Sequence, residues 1–305
     1  MPSPASLTVI LGTGGTIAGA AANALDNVGY TAAERGVADL VAAVPPLAAV
    51  PLEAEQVAQV DSKDMSPAVW RQLAARAAFH LARPEVGGLV VTHGTDTLEE
   101  TALVLQRVLA PAKPVVLTAA MRPATSLAAD GPQNLMDAVT VARAPGARGV
   151  VLAFGGRVFA AEGLRKADAY RIDAFEGREV ARVEEGRVRR TGEWPAGAPL
   201  GAGVLDTEPP RVAWITSHAG FDPALVDAAV AAGFDGLLVA GTGNGTLNAA
   251  LAAALDRARA AGVEVRVTTR CASGRVVGGP DDQATGAAQA RTALWLDLLV
   301  RRRTG

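Results

Sequence analysis

Leu7-Thr-Val-Ile-Leu11, followed directly by Gly12-Thr-Gly-Gly-Thr16, is the stretch that decides the fold of this 305-residue chain. The apolar and β-branched run predicts a buried strand, and the glycines after it predict a tight loop. A second apolar run, Leu89-Val-Val91, ends in Thr92-His-Gly-Thr-Asp96. Ligands of open α/β sheets bind outside the carboxyl ends of the strands. Two threonine-bearing loops at such ends therefore indicate a site that uses hydroxyl groups.

Strand and helix patterns alternate on both sides of this stretch. In the first part of the chain, strands are predicted at 7–11, 52–60, 88–91, 114–119 and 149–154. Helices are predicted at 36–44, from Ser66 and Pro67 onward, at 96–109 and at 132–144. For the helix after Pro67, the spacing predicts an apolar face of Val69, Leu73, Ala77 and Leu81. Residues 157–192 are charged and irregular, and short strands are expected there.

A second alternating block follows a segment rich in glycine and proline. Its predicted strands are 211–215, 236–240 and 263–268, and its predicted helices are 223–232, 246–261 and 284–300. The prediction is an α/β fold in two domains. The larger N-terminal domain, 1–191, has a mostly parallel sheet with helices on both faces, and it carries the catalytic site. A linker spans 192–210, and a smaller C-terminal α/β domain spans 211–305.

Composition and charge exclude several classes of protein. The net charge of −2 provides no basic footprint for a nucleic-acid partner. Cys271 is the single cysteine, so no disulfide forms within the chain, and no Cys/His cluster has the spacing of a metal site. The sequence contains no run of 18 apolar residues, so no membrane-spanning helix is predicted. The first residues lack a basic, apolar leader, so a cytoplasmic location is expected.

The two loops differ in what their residues alone indicate. The first loop has Ile17 where a dinucleotide-binding loop needs glycine, and no lysine follows as in a phosphate-binding P-loop. In the second loop, the Thr95 hydroxyl and the Asp96 carboxylate could hold an amine or polarise a water. The alternative is that Asp96 caps the following helix. His93 is expected to be a hydrogen-bonded structural residue at the turn.

Taken together, these segments resemble the signatures of the bacterial-type L-asparaginase family. The resemblance spans nearly the whole chain, in the family's order. It is carried by Thr13-Gly-Gly-Thr-Ile-Ala-Gly19, Asp61-Ser-Lys-Asp-Met65, Thr92-His-Gly-Thr-Asp-Thr-Leu-Glu-Glu-Thr101, Ala120-Met-Arg-Pro123, Asp130-Gly-Pro-Gln-Asn-Leu135 and Gly243-Asn-Gly245.

The resemblance implies a set of catalytic residues. Thr16 corresponds to the nucleophile, and Tyr30 to the tyrosine that polarises its hydroxyl. Thr95 and Lys166 correspond to the second threonine and the lysine of a proton relay. Asp96 completes this relay and holds the α-ammonium group of the substrate. Each of these residues also has a non-catalytic interpretation. Lys166, for example, lies in a charged stretch, where a solvent-exposed lysine is the default.

The implied substrate-binding residues are Gly15, Asp61, Ser62, Thr95, Asp96, Ala120 and Asn244. Ser62 corresponds to the serine that holds the α-carboxylate, although it could simply end the preceding strand. The backbone N–H groups of Gly15 and Thr95 are candidate donors to the oxyanion. Asn244 corresponds to an asparagine offered to the neighbouring subunit, although it could be a turn residue. Asp281 or Asp282 could supply a charge to that neighbouring site.

The activity implied is conversion of L-asparagine to L-aspartate and ammonia through an acyl-threonine intermediate. An amide is a poor electrophile, and a covalent intermediate divides its hydrolysis into two easier steps. No metal or cofactor is expected. Two alternatives stay open: a relative that prefers L-glutamine, and a catalytically silent amino-acid-binding protein. The resemblance further implies a homodimer or homotetramer, with no nucleic-acid or membrane partner.

Overall fold

The chain forms two compact units, Met1–Ala202 and Gly203–Gly305. The computed structural model describes residues 6–19, 23, 25–29, 31, 34–278 and 286–304. The predicted domain limits at 191 and 211 stay predictions. Each unit is an α/β structure with its own sheet, and the predicted α/β fold is confirmed.

The first unit is built on an eight-stranded sheet with the order β10-β9-β6-β5-β4-β3-β1-β2. Its strands, with the separate pair β7 and β8, are β1 (Leu7–Gly14), β2 (Leu52–Val60), β3 (Val86–Thr92), β4 (Pro114–Thr118), β5 (Gly149–Phe154), β6 (Arg157–Ala160), β7 (Arg165–Lys166), β8 (Phe175–Glu176), β9 (Glu179–Glu184) and β10 (Arg187–Arg190). From β2 to β5 all neighbouring strands are parallel. The three pairings from β5 to β10 are antiparallel. These later strands are the short ones expected after residue 157.

Both faces of β1, β3, β4 and β5 are buried, as two-sided helix cover requires, whereas the edge strand β2 is mostly half-buried or exposed. The helices are α1 (Val37–Ala42), α2 (Pro67–Ala82), α3 (Leu98–Leu109) and α4 (Gly131–Ala142). Ile10, Val90 and Val116 belong to one core cluster with residues of α1 and α4. Val9 and Leu89, which point to the opposite face, are equally buried, and α2 contacts the same strands. These inner strands are therefore apolar over most of their length, and that made them recognisable from sequence.

The buried face of α2 differs from the prediction. The buried side chains of the helix are Trp70, Leu73, Ala74, Ala77 and His80, whereas Val69 and Leu81 are only half-buried. Trp70 Nε1 donates to Thr101 Oγ1 at 2.8 Å, and His80 Nε2 lies 2.7 Å from a glutamate carboxylate of β2. Polar partners on neighbouring elements satisfy these two amphipathic rings, so both can turn inward. Leu73 and Ala77 are confirmed on the buried face, and the prediction missed Trp70 and His80 because it counted only aliphatic side chains.

The second unit has a parallel three-stranded sheet in the order β11-β12-β13. Its elements are β11 (Val212–Thr216), α5 (Ala224–Ala231), β12 (Gly236–Gly241), α6 (Ala249–Ala260), β13 (Glu264–Thr269) and α7 (Ala287–Thr304). Residues of α5 and α6 form one core cluster with Leu237 and Val239, and α7 contacts all three strands. Among the helices of the described residues, none combines the length and apolarity needed to cross a membrane.

The strand order places a reversal point between β1 and β3. From β1 the chain adds β2 on one side, and β3, β4 and β5 follow on the other side. Such a reversal opens a crevice outside the carboxyl ends of the two strands. The loop of Thr16 leaves β1 there, and the loop of Thr95 leaves β3 at the same edge. The fold therefore brings the two threonine loops together.

Candidate active site

Direct backbone contact between two glycines joins the threonine loops. Gly15 has φ +85°, and a Cβ placed on it would lie 2.3 Å from the Gly94 nitrogen. A Cβ on Gly94 would lie 2.5 Å from Ser62 Oγ and 3.1 Å from Gly15 Cα. Only glycine fits at either position. The loops after β1, β2 and β3 consequently meet at one point.

Gly15→Ala should separate the two loops. We expect the free energy of unfolding to fall by about 2–4 kcal/mol, because the added methyl group meets backbone at an unfavourable φ. The matched control is Gly146→Ala, where φ is +76° but no atom lies within 4 Å. That variant should lose only about 1 kcal/mol, the cost of the φ angle itself. Equal losses in urea denaturation would show that the loops do not constrain residue 15.

Thr16 lies in a short 3-10 turn, Thr16–Ala18, and is buried. The preceding N–H of Gly15 donates to the carbonyl of Val60 at 3.1 Å. The fold therefore already uses this N–H, and its role as a donor to the oxyanion stays a prediction. No described residue accepts the Thr95 N–H, so that donor remains a candidate.

Lys166 contacts both members of the Thr95–Asp96 pair. Its Nζ lies 2.9 Å from Thr95 Oγ1 and 2.6 Å from Asp96 Oδ1. The lysine side chain is 18% exposed and the aspartate 51% exposed, so the lysine is mostly buried while the carboxylate stays accessible. Three predicted site residues thus converge, although their catalytic roles stay predictions.

Asp96 is not the cap of α3. The helix begins at Leu98, with Thr97 in the N-cap position. Asp96 instead donates its backbone N–H to Ser62 Oγ at 3.1 Å, and among the described residues the hydrogen bond and ion pair of its carboxylate use Oδ1. Ser62 is buried, and its hydroxyl hydrogen stays available because this bond uses only a lone pair. One carboxylate oxygen and one hydroxyl hydrogen therefore remain for a ligand.

His93, which belongs to the second loop, is fully buried. Its Nδ1 lies 2.7 Å from the Gly94 carbonyl, and its Nε2 lies 2.9 Å from Thr101 Oγ1. Since a carbonyl can only accept, Nδ1 carries the proton and Nε2 accepts from the hydroxyl. Burial lowers the pKa of His93 to about 4, against a smaller opposite effect of the Gly94 carbonyl. The ring is neutral at pH 7 and supports the loop, in agreement with the expected structural role.

Asp61 and Ala120 flank the site in different ways. Asp61 caps the 3-10 turn Ser62–Asp64 and forms an ion pair with Lys63. Ala120 is fully buried after β4. A Cβ on Gly131 would lie 2.9 Å from Ile17 Cγ1 and 3.4 Å from the Ala120 Cβ, so Ala120 approaches the turn that carries Thr16.

Asn244 belongs to the second unit, where it clamps a loop. Its Nδ2 donates to the Val277 carbonyl at 2.9 Å, and the Val277 N–H donates to Asn244 Oδ1 at 2.8 Å. Asn244 lies in a turn but does not adopt the left-handed conformation, and a contact with a substrate stays a prediction. Tyr30, Asp281 and Asp282 lie outside the described residues.

Comparison with known proteins covers both units. The family described as "Asparaginase, N-terminal" matches residues 8–194, and "Glutaminase/Asparaginase C-terminal domain" matches residues 211–294. The chain belongs to the asparaginase family. The match begins within β1, at the stretch that decides the fold, and its second part begins just before β11.

Several asparaginases resemble the chain over most of its length. "L-asparaginase 2" of Bacillus subtilis is 37% identical, covering 89% of this chain and 75% of the relative. "L-asparaginase 2" of Escherichia coli is 35% identical, covering 87% and 78%. "Glutaminase-asparaginase" of Pseudomonas fluorescens is 34% identical, covering 84% and 73%. The crystal structure of a probable cytoplasmic L-asparaginase from Campylobacter jejuni has a TM-score of 0.91 at 31% identity, covering 98% of this chain and 97% of that one.

Two features of this asparaginase-family site escaped the sequence analysis. Glu99, in the first turn of α3, accepts the backbone N–H of Lys166 at 2.6 Å. Asp130 accepts the N–H groups of Met121 and Arg122, both at 3.0 Å, and so fixes the loop after β4. Both residues stand within the quoted motifs, which was the available signal. The motif alone did not distinguish residues that hold the site together from residues that face a ligand.

One cavity among the described residues is not part of the asparaginase site. It has a volume of about 390 Å³ and lies between the end of α4 and β10, where Arg143, Arg187 and Trp194 line it. None of the predicted site residues contributes to it. In the part of the chain that the structure describes, no three His, Cys, Asp or Glu side chains are placed to hold a metal ion.

Proposed function

We propose that this protein hydrolyses L-asparagine to L-aspartate and ammonia through an acyl-threonine intermediate on Thr16. The observation that carries the proposal is the contact of Lys166 Nζ with Thr95 Oγ1 at 2.9 Å, on a loop that packs against the Thr16 loop. The names of the relatives described above support the choice of substrate.

In the proposed first step, Thr16 Oγ1 attacks the amide carbon of the substrate. The hydroxyl proton passes toward Thr95 and Lys166, and the carbonyl oxygen becomes an oxyanion. The C–N bond then breaks, ammonia leaves with a proton returned by the relay, and an ester of Thr16 remains. Water hydrolyses this ester, which releases aspartate and restores the threonine hydroxyl. Thr95 contributes its hydroxyl to the proton path and its N–H to the oxyanion.

Recognition of the amino-acid part falls to Asp96 and Ser62. Asp96 Oδ2 would accept the α-ammonium group, and the Ser62 hydroxyl would donate to the α-carboxylate. The Asp96 backbone N–H donates to Ser62 Oγ at 3.1 Å, so the two residues are neighbours, and this supports their proposed joint role.

Asp96→Ala should impair substrates with an α-ammonium group more than those without one. We expect kcat/KM for L-asparagine to fall by roughly 10²-fold or more, since a charged hydrogen bond is lost. For succinamic acid, which lacks the amine, the fall should be smaller because only the contact with Lys166 is lost. Asp64→Ala, an exposed aspartate on the adjacent turn, is the matched control. An equal fall for both substrates would remove Asp96 from amine recognition.

L-Glutamine is the second candidate substrate, since one relative is a glutaminase-asparaginase. The deciding experiment measures ammonia release from asparagine and glutamine side by side, with the molecular mass in solution determined on the same sample. Higher kcat/KM on glutamine would replace the proposed substrate, and binding without release would identify a silent amino-acid-binding protein.

We further propose a homodimer or homotetramer, whose partner subunit is met by Asn244 and by Asp281 or Asp282. A monomer of full activity would contradict this assembly. Tyr30 is proposed to polarise the Thr16 hydroxyl. The proposed reaction uses no metal or cofactor, and the enzyme is proposed to be cytoplasmic.

A further inference from the structure

Lys166 is held by hydrogen bonds of its side-chain nitrogen and of its backbone N–H. Its Nζ contacts Thr95 and Asp96, and its backbone N–H donates to Glu99 Oε2 at 2.6 Å. Glu99 accepts this N–H from α3, in the helical turn that follows the Thr95 loop. It acts on the main chain from which the lysine side chain starts.

Lys166 lies in a short, locally paired segment, where the next N–H, that of Ala167, donates to the Ala174 carbonyl at 2.7 Å. The strand of Lys166, β7, is two residues long and pairs only with β8, which is equally short and lies outside the eight-stranded sheet. An ion pair between Arg165 and Glu176 links these two strands to each other. None of these contacts ties β7 to α3 or to the Thr95 loop. The Glu99 hydrogen bond does so, because Glu99 lies only four residues after Thr95.

We propose that Glu99 is a positioning residue, which fixes the Lys166 backbone so that Nζ reaches Thr95 Oγ1. This inference rests on the proposed role of Lys166 in proton transfer. A displacement of about 1 Å can reduce turnover by roughly 10²-fold, because proton transfer depends steeply on distance. Loss of the Glu99 acceptor should therefore lower kcat and leave substrate binding almost unchanged.

Glu99 also titrates in the range where the enzyme would work. Burial raises the pKa of Glu99 to about 7. The N–H of Lys166 and the charges of Arg165 and Lys166 lower it, and Glu100 raises it further; Asp96 faces the other end of Lys166. An ionised carboxylate accepts a hydrogen bond more strongly than a neutral carboxyl group. The hydrogen bond from the Lys166 backbone N–H to Glu99 should therefore weaken as the pH falls below about 7.

The test compares three variants by ammonia release from L-asparagine between pH 5 and pH 9. Glu99→Ala removes the acceptor, and its kcat should fall on the order of 10- to 100-fold with little change in KM. Glu99→Gln retains an amide oxygen, so its kcat at pH 8 should stay near wild type. The fall of kcat on the acid side of pH 7, which we call the acid limb of the pH profile, should disappear in this variant. Glu100→Ala removes the same charge from the same helical turn. Its kcat should be unchanged, and its acid limb should move to lower pH because a like charge has been removed.

Wild-type kcat in Glu99→Ala would overturn the proposal, and so would equal losses in Glu99→Ala and Glu99→Gln. An acid limb that persists in Glu99→Gln would assign the titration to another group and overturn this part of it. Lys166→Met separates this inference from the function on which it rests. If Lys166→Met is inactive and Glu99→Ala is normal, only the positioning role fails. If Lys166→Met is fully active, the relay itself fails.

Stability measurements provide a second readout of the buried carboxyl group. The native pKa of Glu99, about 7, is above its ordinary value of 4.5, so the native state retains the proton where the unfolded chain has lost it. The contribution of Glu99 to the free energy of unfolding is therefore fully present below pH 4.5 and is lost as the pH rises to about 7. Relative to Glu99→Gln, wild type should lose stability across that interval. No difference in pH dependence would contradict burial of the charge.

Discussion

Thr16→Ala is expected to abolish ammonia release while amino-acid binding persists. We expect kcat to fall by about 10⁴-fold or more, because alanine has no oxygen to form the covalent intermediate. Asp96 and Ser62, which lie on other loops, remain in place to hold the amino-acid groups. Calorimetric titration of the variant with L-aspartate should therefore give a dissociation constant close to that of wild type.

Thr13→Ala is the matched control in the same loop. Thr13 Oγ1 donates to the carbonyl of Thr92 at 2.8 Å, so this hydroxyl is occupied in joining β1 to β3. Its loss should lower the free energy of unfolding by about 1 kcal/mol and leave kcat within a few-fold of wild type. Turnover by Thr16→Ala at the wild-type rate would remove Thr16 from the mechanism. Equal inactivation of both variants would indicate that the loop, and no single hydroxyl, had been tested.

Lys166→Met is expected to have the second largest effect. The methionine side chain is similar in length but cannot accept or return a proton, and general acid–base groups typically contribute about 10²–10⁴-fold to rate. We expect kcat to fall by that factor, with KM nearly unchanged, since Lys166 is proposed to act on proton movement and not on binding. Single-turnover measurements should show that both formation and hydrolysis of the acyl-threonine are slow.

Lys113→Met provides the control for the loss of a partly buried lysine. Lys113 Nζ donates to the carbonyls of Leu81 and Arg83, at 2.8 Å and 2.7 Å, and thereby holds the end of α2. This variant should be less stable in thermal unfolding but should retain kcat. A Lys166→Met enzyme with raised KM and normal kcat would show that the lysine binds substrate and does not relay protons.

The threonine loops were predictable because their signals are local. A strand buried on both faces must be apolar at every position, and a loop that approaches another backbone must use glycine, so β1 and Gly15 are recognisable from short segments. The order of the motifs then indicated the family, and with it Ser62, Thr95 and Lys166 as neighbours. Nothing in the charged stretch around Lys166 predicts that its Nζ turns inward. That depends on Thr95, which lies 71 residues earlier in the chain.

The chain's own sequence determined the alternation of strands and helices, the two threonine loops and the residue types needed for amide chemistry, because these follow from side-chain periodicity and backbone sterics. The tertiary structure decided which polar groups remain available. It uses the Gly15 N–H in a bond to Val60, turns Trp70 and His80 inward on α2, frees Asp96 from helix capping and places Glu99 against Lys166. Each outcome is set by a hydrogen-bond partner on a different element, and such pairings exist only after the elements have packed.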